Sequence, residues 1–61
     1  MSKFYVKTVT AKGKTIAYAV YDRVNGLESE YAYFPITSNQ PDDVAQHLAK
    51  LSAADFNSGI S

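Results

Sequence analysis

Sixty-one residues without a cysteine make one domain and exclude the disulfides and thiolate metal sites that staple many small folds. Six basic residues balance six acidic ones, and a net charge of zero argues against a strongly basic nucleic-acid binder. The core of so short a chain has to be compact and built by packing alone.

No apolar run reaches the roughly 18 residues of a membrane span. The opening MSKFYVK also lacks the apolar stretch of a signal peptide. The expected location is cytoplasmic, with no membrane among the partners. The charge is unevenly spread. Through position 23, Lys3, Lys7, Lys12, Lys14 and Arg23 face only Asp22, a net of +4; beyond it, Glu28, Glu30, Asp42, Asp43 and Asp55 face only Lys50, a net of −4. Either the basic part offers a local basic surface on a neutral molecule, or the two parts attract each other within the fold.

The first strand is expected over about residues 3–10, where β-branched and aromatic residues alternate with polar ones. Phe4, Val6 and Thr8 point to one face, and Tyr5, Lys7 and Val9 to the other. Ala11-Lys12-Gly13-Lys14 supplies a turn, so a second strand over 15–23 folds back antiparallel on the first. In it Ile16, Tyr18 and Val20 share one face, and Ala17, Ala19, Tyr21 and Arg23 the other. Asn25-Gly26 is a strong hairpin signal, because a type I′ turn needs positive φ at both central residues.

The third strand is expected over 28–35, with Pro35 ending it or lying on an edge. Two face assignments are open. Ala32, Phe34 and Ile36 turn inward with Tyr31 and Tyr33 outside, or the reverse; the first is favoured because phenylalanine and isoleucine have no polar tip to satisfy. Pro41, Asp42 and Asp43 then suit a helix start, and a helix is predicted over 41–52. Val44, Leu48 and Leu51 form its apolar stripe at i, i+4 and i+7. Ser52 to Asp55 reads as the opening of a short further turn that brings Phe56 back to the core, and 57–61 as a frayed tail. The fold class is α+β: a three-stranded antiparallel β-meander with one C-terminal helix on one face, β-β-β-α. Its predicted core is Phe4, Val6, Ile16, Tyr18, Val20, Phe34 and Ile36.

No catalytic, cofactor or metal signature accompanies this pattern. His47 with Asp43 four residues earlier makes two potential ligands where a metal site needs three or four. Neither Ser38 nor Ser52 lies on a strained elbow beside an oxyanion hole, so no nucleophile is assigned. The chain is expected to be a non-enzymatic binding module with no cofactor. Its candidate binding residues are Tyr5, Lys7, Tyr21, Arg23, Tyr31 and Tyr33, on the sheet face the helix leaves bare. Tyrosine rings stack on bases while cations meet phosphates, which suits DNA. Tyrosine and arginine are also enriched at protein interfaces, which suits a protein partner or a homodimer.

A hairpin with Gly13-Lys14 at its turn, a third strand ending in Phe34-x-x-Thr37 and a helix with spaced alanine and leucine resemble the N-terminal arm-type DNA-binding domain of phage and transposon tyrosine integrases. The resemblance spans residues 4–51 and lies in topology. It implies a sheet inserted in the major groove, with Lys7, Tyr21, Arg23 and Tyr33 facing the bases. Glu28 and Glu30 depart from the basic third strand of that family. The chain also ends where a recombinase catalytic domain would start, so the resemblance implies an accessory protein of a phage or mobile element.

Overall fold

A computed structural model describes residues 3–59. Three antiparallel strands in the order β1-β2-β3 form one sheet, followed by one helix. The elements are β1 (Phe4–Ala11), β2 (Lys14–Val24), β3 (Leu27–Pro35) and α1 (Asp42–Gly59). This is the expected α+β, β-β-β-α architecture.

Both hairpins turn on two residues with positive φ. Asn25 (φ 53°) and Gly26 (φ 81°) do so as their types predict. The first hairpin places Lys12 (φ 52°) beside Gly13 (φ 77°), and the lysine is there because Ala11 pairs with Lys14 and leaves only two residues to turn. β3 leads into a tight loop. The Ile36 N–H donates to the Ile16 carbonyl at 2.9 Å, Thr37 and Gln40 exchange backbone bonds of 2.9 and 3.1 Å, and Ala45 N–H reaches the Pro41 carbonyl at 2.8 Å to start the helix.

The core lies between the sheet and a seam of alanines. Ala45, Ala49 and Ala53, at i, i+4 and i+8, are buried against Phe4, Tyr18 and Val20, with Val6, Ala32, Phe34, Ile36 and Phe56 closing around them. This corrects the predicted stripe: Val44 and Leu51 are 41% and 53% exposed, and Leu48 is half-buried between seam and solvent. The reason is volume. The sheet raises large aromatic side chains toward the helix, and only small residues let the helix axis come close enough to cover them. Ile16 is a second correction, 41% exposed rather than core. The register passes from Val9–Ala17 to Thr10–Thr15, so Ile16 is an extra, bulged residue beyond the helix's reach.

The helix does not stop at residue 52 and restart; it runs unbroken to Gly59. Its continuation stacks Phe56 on Phe4, with ring centroids 4.8 Å apart. It also carries Asn57, placed in the expected frayed tail, onto the sheet edge. The Asn57 side chain accepts from the Phe4 N–H (2.8 Å) and donates to the Phe4 carbonyl (3.0 Å), as a neighbouring strand would. The rest of that tail, residues 60 and 61, lies outside the described residues. Two polar groups are drawn into the covered side. The Tyr18 hydroxyl donates to Asp42 at 2.6 Å, which raises its pKa, and buried Asp22 accepts from the Lys3 N–H at 3.2 Å.

Candidate functional site

The register turns Tyr5, Lys7, Tyr21, Arg23 and Tyr33 to the face away from the helix, as their alternation predicts. Ala17 and Ala19 form its floor. Both are fully buried although no described element covers them, because Val9 and Pro35 flank Ala17 and Lys7 and Tyr33 flank Ala19 in register.

Tyr31 does not join this face. Between Val20–Ala32 and Tyr21–Glu30 the third strand carries one extra residue, which is Tyr31. A bulge interrupts the alternation, so Tyr31 falls on the same side as Ala32. There its ring meets Phe4 edge-on (centroids 5.0 Å, planes at 85°) and Phe56 (6.0 Å, 63°). It closes the end of the core. The favoured face assignment thus holds for Ala32, Tyr33 and Phe34 and fails at the bulge.

The centre of the open face is Glu28. Its carboxylate accepts hydrogen bonds from the Tyr5 hydroxyl, from Lys7 Nζ at 3.0 Å and from Arg23 Nη2 at 3.1 Å. All three elements contribute: Tyr5 and Lys7 come from β1, Arg23 from β2 and Glu28 from β3. The Asn25-Gly26 turn sets Arg23 directly opposite Glu28. Lys7 lies over the Tyr21 ring, 4.9 Å from its centroid, and the Tyr5 and Tyr21 rings stack with centroids 6.5 Å apart. The Tyr21 hydroxyl makes a long contact of 3.4 Å with Glu30.

The protonation equilibria follow from these bonds. The Tyr5 hydroxyl first, then the Lys7 ammonium, hold the Glu28 carboxyl down at about 2, far below its ordinary 4.5. The same bonds to Glu28 raise Tyr5, Lys7 and Arg23 above their ordinary values. The Arg23 side chain is mostly exposed, so its arm of the cluster is the most screened.

Chemically, this is a flat, preorganised surface in which two cations meet two carboxylates. Lys7 and Arg23 are balanced by Glu28 and Glu30. The uneven charge along the chain is thus partly spent inside the fold, with cations of the basic part paired to an acid of the acidic part. Sequence reasoning did not see Glu28 as the hub, though the signal was present. A two-residue turn fixes Val24–Leu27, then Arg23–Glu28, as directly opposed pairs, and opposite charges there attract. Asn57 carried no such signal, since its contact is 53 residues distant.

His47 is exposed on the outer side of α1. Among the described residues, no three histidine or carboxylate side chains gather as metal ligands, and no helix is long and apolar enough to cross a membrane. Comparison with known proteins finds no family model, no curated protein and no solved structure that matches the chain.

Proposed function

We propose that this protein is a small non-enzymatic binding module whose open sheet face docks on protein, the simplest partner being a second copy of the chain. The observation that carries the reading is the Glu28 cluster. Because Glu28 already holds the Lys7 and Arg23 cations, a DNA phosphate would have to displace a carboxylate bonded to three donors. A protein surface asks for no such exchange. It meets Tyr5 and Tyr21 as amphipathic rings held in place before contact, with Tyr33 exposed beside them, which lowers the ordering cost of binding. Two copies of a face with balanced charges carry no net repulsion, and two sheets stacked face to face settle about 10 Å apart. A contact of the standard size, about 800 Å² per partner, would use most of such a face.

Sedimentation of the protein over a wide concentration range tests this. Association that changes little with salt and is lost in Tyr21→Ala and Tyr33→Ala supports the reading. A monomer at every concentration that instead shows salt-sensitive amide shifts at residues 5–9, 17–23 and 33 with duplex DNA would replace it with the DNA-binding reading. In that case Lys7→Ala and Arg23→Ala would weaken binding and flatten its salt dependence. A monomer indifferent to both would remove the face from consideration.

A further inference from the structure

The two edges of the sheet are not alike. In an antiparallel strand the N–H and C=O of one residue point to the same side, and successive residues alternate. Phe4 gives both groups to Asn57, outward from β2. Val6 and Thr8, two and four residues on, therefore aim theirs outward as well, and these outward groups meet no partner among the described residues. Asn57 occupies the first position of this edge as a one-residue strand mimic and leaves the rest open.

β3 is obstructed by contrast, although Glu28 and Tyr33 also aim backbone groups outward. The Tyr31 bulge breaks its line, Pro35 has no N–H, and the Pro35 carbonyl is taken by Gln40 Nε2 at 2.7 Å.

The open edge is also the basic one. Lys3 precedes β1, Lys7 lies on it, Lys12 and Lys14 sit in its hairpin turn and at the start of β2, and no acid precedes Asp22. Of the four, Lys7 alone forms an ion pair among the described residues. Lysines along an edge repel a second copy of that edge, which keeps β1 from pairing with itself, and they favour an incoming strand that carries acids.

We propose that the outer edge of β1 binds an acidic extended peptide by strand addition, with Val6 and Thr8 supplying the backbone bonds and Lys3, Lys12 and Lys14 the attraction. The site is independent of the tyrosine face. It lies in the plane of the sheet and stays open whether or not that face is covered.

The test is an NMR titration of the intact labelled protein with a capped heptapeptide alternating glutamate and valine. The expected result is shifts at Val6 and Thr8, exchange of those amides slowed about tenfold or more, and binding that fades as salt rises. A lysine–valine peptide of equal length should not bind, nor should the glutamate–valine peptide with every backbone nitrogen methylated. Thr8→Pro removes one outward N–H without breaking the β1–β2 ladder, because Thr8–Tyr18 is a pair that exchanges no bonds; it should keep a dispersed spectrum and lose the peptide. If that variant does not fold, the methylated peptide decides. Equal binding by the methylated peptide, shifts on Tyr21 and Tyr33 instead of the edge, or no protection of Val6 and Thr8 would each overturn the proposal.

Discussion

The two faces of this sheet solve opposite problems with the same three strands. On one, Phe4, Tyr18, Val20 and Phe34 are removed from water by a helix whose contact line is alanine. On the other, no described element is laid over the strands. Order there comes from one carboxylate that gathers a hydroxyl, an ammonium and a guanidinium. The first arrangement draws on apolar burial and should dominate stability. The second lies in solvent, where hydrogen-bonded charges add little to stability but fix which groups a partner meets. The difference separates what holds the chain folded from what the folded chain presents.

Breaking the covered face should have the largest effect. Phe4 contacts Phe56 and Tyr31 and lies in the buried cluster with Val20 and Ala53. Phe4→Ala should cost about 3–4 kcal/mol, enough to unfold much of so small a domain, as read by urea denaturation. Next comes the seam. Ala49 is fully buried, so Ala49→Leu should overpack it and cost about 1–3 kcal/mol. Leu51→Ala, on the exposed side of the same helix, should stay within about 0.5 kcal/mol. Equal losses from the two would mean that the helix packs on its large residues after all. On the open face, Tyr33→Ala should also stay within about 0.5 kcal/mol while removing concentration-dependent association. A large loss of stability at Tyr33 would erase the distinction between the faces.

The fold was legible wherever a local rule acted alone. Period-two alternation, Asn25-Gly26 and the Pro41-Asp42-Asp43 start placed every element. The register places five of the six chosen face residues together, and only Tyr31 left the set. What could not be read were the two bulges, at Ile16 and Tyr31, because an extra residue in a strand leaves no mark on composition and interrupts the alternation by which faces are read. The helix stripe misled for a different reason. A pattern rule ranks leucine and valine above alanine as core, whereas the seam was selected by the size of the aromatic side chains facing it. Asn57 was lost because a polar residue near a chain end looks frayed until the strand it clamps is in place.

The smallest effect at neutral pH, and the most specific, belongs to Glu28. Its folded-state pKa lies below its ordinary value, so the folded state binds this proton more weakly than the unfolded chain does. Linkage then requires that its contribution be fully present above about pH 4.5 and be lost as pH falls toward about 2. In Glu28→Gln the group no longer titrates, and that part of the acid-side slope of stability should vanish. The variant should also return the Tyr5 hydroxyl toward its ordinary pKa of 10.0, visible as earlier phenolate absorbance on raising the pH. The urea midpoint at neutral pH should move only slightly, since Lys7 and Arg23 can turn to water when the carboxylate is gone. An unchanged acid slope together with an unchanged Tyr5 titration would mean that the four side chains do not act as one cluster. The case for a neutral, protein-facing surface would then fall, because Lys7 and Arg23 would again be free for phosphates.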